Sequence, residues 1–278
     1  MVSFTKMHGC GNDYIFFNCF DNTLDNPEVL AATLSHRHKG IGGDGIVLIM
    51  PSDIADAKMR MFNADGSEGL MCGNSIRCVG KFLFDYDIVQ KTEMEIETLS
   101  GVRKLTLNIK EGKAVSATAD MGRAELAPEN IPVNLTGSMI VARQINLGGK
   151  LYEITCVSMG NPHAIIFHDD IEHFDMHTVV SKMEESGLFP EGVNLGLVKV
   201  DGRNNMQMRV WERGTGETMA SGTGACAAAV AAVLMGYADK YTDINIAVKG
   251  GELTVTYTAE TVYLAGDCVL IYEGAIKL

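Results

Sequence analysis

Two short segments carry residues able to move a proton. Cys72-Gly73-Asn74 and Ser221-Gly222-Thr223 each set a small nucleophile-sized side chain before a glycine and a polar residue. Each stands at the start of a stretch that reads as a helix, GNSIRCVGKFLFDY in one case and GTGACAAAVAAVLMGY in the other. The unpaired N–H groups of a helix N-terminus bind anions, and the helix dipole adds to the effect. The same field lowers a cysteine pKa from about 8.5 into the range of roughly 3.5–7.5. Two such ends acting together would hold a carboxylate and flank it with two proton-transfer groups. Taken singly, each segment is equally well read as the cap of a core helix.

What lifts the pair above that reading is an internal repeat. A shift of 149 positions lays one half of the chain on the other without a gap. Gly11-Asn12 falls on Gly160-Asn161, Gly43 on Gly192, Met59-Arg60 on Met208-Arg209, Glu68 on Glu217 and Gly73 on Gly222. Capping alone does not require glycine after the key residue in both copies. The repeat predicts two like domains sharing one site, with Cys72 meeting Ser221 in the overlay. A site of that kind can act on both faces of one substrate atom, and a cysteine opposite a serine makes the faces unequal.

Other polar residues fall in repeat-related places. Asn12 and Asn161 are partners, as are Asn63 and Glu212; Asn194 and Arg213 join them. An asparagine in such a turn is by itself most often a turn former. Together with an arginine and a glutamate the set fits a zwitterionic ligand, with Arg213 binding a carboxylate as a fork.

The elements that must position these residues are mostly strands. Segments 14–20, 45–50, 59–62, 95–98 and 104–110 in the first half are short and apolar or alternating, as are 154–159, 164–167, 195–200, 206–211, 244–248, 253–258 and 262–266 in the second. PEVLAATLSHRH (27–38) reads as a helix with Pro27 at its first position. The helix after Ser221 is apolar on nearly every face and should be wholly buried, inside a sheet that wraps it. APENIPVNLTG (127–137) reads as an irregular connector.

Composition narrows the function. Net charge is −12, and Lys and Arg do not cluster, which disfavours nucleic acid and anionic membranes as partners. The N-terminus MVSFTKMHGCGND has no apolar stretch of signal-peptide length and no run approaches a membrane span, so a cytoplasmic protein is expected. The seven cysteines (10, 19, 72, 78, 156, 226, 268) form no CxxC pair, and the seven histidines include no HExxH, so neither a disulfide framework nor a metal site is expected. GIGGDG (40–45) matches GxGxxG but follows a helix-like segment and precedes a strand, the reverse of the dinucleotide-binding order. GTGETMASGTGA lacks the GK[ST] of a phosphate loop.

The motifs KMHGCGNDY (6–14), HRHKGIGGDG (36–45), FNADGSEGLMCGNSIRC (62–78), SMGNPH (158–163), FPEGVN (189–194) and WERGTGETMASGTGACAAA (211–229) resemble those of diaminopimelate epimerases over essentially the whole chain. The resemblance implies an α/β (α+β) fold of two pseudo-symmetric domains, each a mixed, mostly antiparallel sheet around a central helix. The expected boundaries are 1–118 and 119–264, with the strand at about 265–278 rejoining the first domain. It implies a two-base 1,1-proton transfer interconverting LL- and meso-diaminopimelate in lysine and peptidoglycan synthesis, without cofactor or metal, in a homodimer. The catalytic positions map to Cys72 and Ser221. The substrate-binding positions map to Asn12, Asn63, Gly73, Asn74, Asn161, His163, Asn194, Glu212, Arg213, Gly222 and Thr223. Gly45 sits where some members carry a glutamine. The departure is Ser221, where the family has its second cysteine; Cys226 lies within the helix and is no substitute. Three readings stay open: an epimerase inactivated by substitution at 221, a racemase or dehydratase of another amino acid working with one thiol, and a non-catalytic amino-acid-binding protein.

Overall fold

The computed structural model describes residues 1–277 and divides into two compact units, Met1–Asp120 with the residues from Ala265 onward, and Met121–Leu264. In the first unit the chain runs β1 (Val2–Gly9), β2 (Asn12–Asn18), α1 (Pro27–Leu34), β3 (Gly45–Met50), β4 (Ala57–Asn63), β5 (Glu68–Gly69), α2 (Gly73–Asp85), β6 (Glu93–Thr98), β7 (Gly101–Lys110) and β8 (Lys113–Asp120). The β2–β3 and β4–β6 pairs are parallel; β1–β2, β3–β4, β4–β5, β6–β7 and β7–β8 are antiparallel. The parallel joins fall where a helix intervenes between strands, since a crossover needs that length. Helix α2 packs against β1, β2, β7 and β8.

The second unit repeats the plan: β9 (Arg143–Leu147), β10 (Lys150–Ser158), β11 (Pro162–Phe167), α3 (Met176–Glu185), β12 (Asn194–Gly202), β13 (Asn205–Glu212), β14 (Gly216–Thr218), α4 (Gly222–Leu234), β15 (Asp243–Val248), β16 (Gly251–Tyr257) and the start of β17 (Val262–Asp267), whose residues from Ala265 belong to the first unit. The registers repeat too. Tyr14 pairs with Gly45, and 149 residues on His163 pairs with Asn194; Phe62 pairs with Glu68, and Trp211 with Glu217. Helix α4 packs against β10, β11, β12 and β16, and its residues from Gly224 to Ala232 are buried. The last strand, β18 (Val269–Ile276), pairs antiparallel with β1 in the first unit. The fold is a sheet-dominated α+β arrangement with a buried helix in each unit.

Local differences from the sequence reading have physical causes. The helix at 27 stops at Leu34, eight residues long, where Ser35 N–H closes on Ala31 C=O. His36 to Gly40 then form a turn, with Gly40 N–H on His36 C=O. A side chain at Gly40 would lie 2.5 Å from the carbonyl oxygens of Thr33 and Leu34, so only glycine lets the chain double back there. Helix α3 is absent from the expected elements, although Met176, Val179, Val180 and Met183 recur at i, i+3, i+4 and i+7; its start is marked by Asp175, whose carboxylate accepts from Thr178 N–H at 3.0 Å. The connector holds one 3₁₀ turn, Pro128–Asn130, and sends Ile131 and Val133 into the core of the second unit.

Candidate functional site

Cys72 stands at the N-cap of α2 in extended conformation, φ −129° and ψ 124°, and its side chain does not cap its own helix. The first intrahelical closure is Ile76 N–H on Cys72 C=O at 3.0 Å. The N–H groups of Gly73, Asn74 and Ser75 therefore head the helix beyond that closure. The Cys72 sulfur instead donates to Asn12 Oδ1 at 3.3 Å, and Asn74 Nδ2 donates to the same oxygen at 3.3 Å. Asn12 Nδ2 donates to Asp44 Oδ2 at 2.7 Å. Asn12 opens β2 just after a tight turn in which Cys10 and Gly11 both have positive φ, 51° and 78°.

A charged network stands behind Asn12. Asp44 Oδ2 also accepts Asp13 N–H at 3.1 Å, and Asp13 C=O accepts Asp44 N–H at 2.7 Å. Arg37 reaches both carboxylates, at 2.6 Å to Asp13 and 2.9 Å to Asp44. Lys6, 4% exposed, pairs with Asp13 at 2.6 Å and also donates to Gly42 C=O. Burial pulls the Lys6 ammonium below its ordinary range against the pull of Asp13. Burial pushes the Asp13 carboxyl up, but hydrogen bonds from Arg37 and Lys6 outweigh it and leave the group below the usual range. The glycines of 40–45 thus have a packing reason: Gly42 has φ +86°, and a side chain at Gly43 would lie 2.6 Å from Lys6 Nζ.

Arg77, fully buried within α2, braces the same end. It donates to Gly73 C=O at 2.8 Å, to Asn74 Oδ1 at 3.1 Å and to Asp267 C=O at 3.2 Å. Asn63, at the end of β4, donates to Ser67 Oγ at 3.0 Å within the turn to β5. Gly45 leaves no room for a larger residue: a side chain there would lie 2.1 Å from Phe62 C=O. Any glutamine at that position needs a different path of β3 against β4.

In the second unit Ser221 caps α4 with φ −128° and ψ 118°, and its Oγ accepts from Gly224 N–H at 3.3 Å. Gly222 and Thr223 head the helix behind it. Asn161 Oδ1 lies 3.0 Å from His163 Nε2. His163 is fully buried, and burial, with the nearby Arg213 charge, pulls its pKa down to about 3. It therefore stays neutral, with its Nε2 set against Asn161. Asn194, 4% exposed, is likewise spent inside the protein: its Nδ2 donates to Pro162 C=O at 3.0 Å and its Oδ1 accepts Arg213 N–H at 2.9 Å. It sets the backbone that carries Arg213. The Arg213 guanidinium donates to Glu191 C=O, and Glu212 Oε1 accepts from Thr218 Oγ1 at 2.5 Å.

Within unit 1 the structure thus gathers Cys72, Gly73, Asn74 and Asn12 around one hydrogen-bonded point, with Asn63 in a separate turn. Within unit 2 it joins Asn161 to His163 and Asn194 to Arg213. Sequence reasoning passed over Asp44, Asp13, Arg37, Lys6 and Arg77. The aspartates and Arg37 lie in motifs whose glycines and asparagines draw the eye, and Arg77 lies inside a helix of which only the N-terminal end is singled out.

The comparisons with known proteins decide the family. The diaminopimelate epimerase family model matches residues 4–127 and 155–271. The chain belongs to the diaminopimelate epimerase family. It is 48% identical over 279 residues to a diaminopimelate epimerase of Acetivibrio thermocellus, covering 100% of this chain and 99% of that one. It is 43% identical to a diaminopimelate epimerase of Methanococcus maripaludis, with all of each chain covered. Among solved structures it is similar in fold to a hydroxyproline epimerase of Agrobacterium vitis with bound trans-4-hydroxy-L-proline, TM-score 0.70 at 13% identity, covering 98% of this chain and 91% of that one. A phenazine biosynthesis family protein of Bacillus anthracis is similar in fold as well, TM-score 0.71 at 14% identity, covering 100% of this chain and 99% of that one. Among the described residues no group of three or more His, Cys, Asp or Glu is placed to hold a metal ion, and no helix is long and apolar enough to cross a membrane.

Proposed function

We propose that this family member is built to interconvert LL- and meso-diaminopimelate by proton transfer at the α-carbon, without a cofactor, in lysine and peptidoglycan synthesis. The observation that carries the reading is full-length identity of 48% to a diaminopimelate epimerase in a chain whose Cys72 heads a buried helix. In this reading Cys72 is a proton-exchanging group, and Ser221 holds the sequence position of the family's second cysteine. The N–H groups of Gly73 and Asn74 receive a carboxylate, and Gly222 and Thr223 stand at the equivalent positions of the repeat. Asn12, Asn63, Asn161 and Arg213 address the substrate's polar ends, with His163, Asn194 and Glu212 holding them in place.

The α-hydrogen of an amino acid is a very weak acid, so its base must be strong, desolvated and aligned. A free thiol titrates near 8.5, and a serine hydroxyl behaves more like water, near 15.7. That gap of roughly 7 units is worth up to about 10 kcal/mol at about 1.36 kcal/mol per unit. The chain with Ser221 is therefore a binder of diaminopimelate and a slow epimerase. Calorimetric titration tests this: diaminopimelate binds, because the helix ends and asparagines do not depend on the residue at 221. Tight binding of another amino acid with none of diaminopimelate would overturn the assignment.

A cytoplasmic homodimer belongs to the same reading. Strand β18 exposes Val269, Leu270, Ile271 and Tyr272 in succession, a row of apolar side chains that a second copy can cover. Sedimentation of Tyr272→Lys beside the unaltered chain checks it, a monomer being expected from the lysine form alone.

A further inference from the structure

We propose that Asp44 is a positioning residue for the Cys72 thiol, acting through the side-chain amide of Asn12. The inference rests on the reading of Cys72 as a proton-transfer group and assigns what holds that group in place. The Asp44 carboxylate, paired with Arg37, has only acceptor oxygens to offer. Its Oδ2 takes Asn12 Nδ2–H at 2.7 Å and Asp13 N–H at 3.1 Å. The amide of Asn12 must then turn its NH2 toward Asp44 and its oxygen the other way. That oxygen meets two donors, the Cys72 thiol and Asn74 Nδ2, each at 3.3 Å. A half-turn of the amide would set oxygen against carboxylate and NH2 against NH2, so the carboxylate decides which atom the sulfur sees.

Asp44 is itself held. Arg37 bridges it to Asp13, Lys6 holds Asp13 from the buried side, and the backbones of residues 13 and 44 are hydrogen-bonded to each other. The repeat shows that this network belongs to the thiol half alone. Lys6, Asp13, Arg37 and Asp44 fall on Thr155, Pro162, Ser186 and Val193, none of them charged. The asparagine equivalent to Asn12 is met by neutral His163, whose Nε2 lies by the Asn161 oxygen. Two copies of one fold thus hold their paired asparagines by different means, and the half with the ionic clamp is the half with the cysteine.

A double-mutant cycle read by alkylation of Cys72 tests this without needing turnover. Iodoacetamide labelling is followed by peptide mass mapping in the unaltered chain, Asp44→Ala, Asn12→Ala and the double variant, with Cys19 as internal reference. Asp44→Ala should change the Cys72 rate at least about fivefold, and the same substitution made in Asn12→Ala should change it less than about twofold. Asp44→Ser, too short to reach Asn12, runs beside it as a second disruption and should behave as alanine does. Asp44→Asn keeps an acceptor oxygen for Asn12 and should stay within about twofold of the unaltered chain, a rescue that a merely structural role would not give. Equal changes in both Asn12 backgrounds, or no change on losing Asp44, would overturn the proposal. An intact cycle with no diaminopimelate binding would instead fault the functional reading alone.

Discussion

Cys72 and Ser221 cap equivalent helices with nearly the same backbone, ψ 124° and 118°, yet their side chains turn to different partners. The serine oxygen folds back on Gly224 N–H at 3.3 Å, while the cysteine sulfur leaves its helix and reaches Asn12 at 3.3 Å. Serine is spent as a cap, and cysteine is presented.

Replacing Ser221 by cysteine should therefore cost little and return much. An N-cap oxygen is worth about 0.5–2 kcal/mol, and a 3.3 Å contact belongs at the low end. Stability by urea unfolding should fall by less than about 1 kcal/mol. The rate of conversion of LL- to meso-diaminopimelate should rise by at least about 10²–10⁴, the usual worth of a positioned acid–base group. In D₂O the serine form should exchange the α-hydrogen slowly and mainly from one stereoisomer, and the cysteine form from both. An unchanged or lower rate in a folded Ser221→Cys protein would defeat the assignment of position 221.

Brief iodoacetamide treatment at neutral pH should label Cys72 first among the seven cysteines. The other six are buried and Cys72 is partly exposed. Burial pushes the thiols of Cys10 and Cys156 up to about 12 and those of Cys19 and Cys268 up to about 11, and it raises Cys78 as well. Only the thiolate reacts, so those positions are protected twice. Diaminopimelate should slow labelling at Cys72. Equal labelling of Cys72 and Cys19 counts against the site.

The same contrast shows how far the sequence could be read. The repeat announced the two helix ends, because glycine and a small polar residue follow the key side chain in both copies. It also laid Asn12 on Asn161 and Asn63 on Glu212. Burial was legible in α4, where one apolar residue follows another. The supports of the site were not legible. Asp44 contacts Asn12 across 32 residues, and Arg77 serves Asp267 across 190. Such pairings depend on the closing of the sheet, and no local periodicity encodes them. The strand β8 escapes the sequence because KAVSATAD has three alanines and no aromatic residue, and takes its conformation from its neighbour β7.

Arg77 should prove structural at a functional helix end. Its guanidinium is the donor for Gly73 C=O, Asn74 Oδ1 and Asp267 C=O in a fully buried place. Arg77→Leu fills much of the volume and leaves those acceptors without it, at about 1.5–3 kcal/mol for each bond to a charged group before relaxation. The expected loss of unfolding free energy is about 3 kcal/mol, read from urea midpoints at constant slope. A loss under about 1 kcal/mol would show that the acceptors find other partners.

His163 supplies a pH test with a definite sign. Its pKa is held near 3 in the folded chain, against about 6.5 when exposed on unfolding. The depressed histidine takes up its proton only on unfolding, so the folded state is fully favoured above about 6.5 and progressively less favoured as pH falls toward 3. Between pH about 6.5 and about 5 this one group should remove roughly 1.5 kcal/mol of stability, at about 1.36 kcal/mol per unit. That window lies above the range in which ion-paired carboxylates such as Asp13 titrate. His163→Gln keeps a hydrogen-bond donor for Asn161 but has no proton to gain. Urea unfolding of the two proteins at both pH values should show the fall in the histidine form and a reduced fall in the glutamine form. Parallel pH dependence in the two would mean that His163 opens to solvent and takes its proton without unfolding.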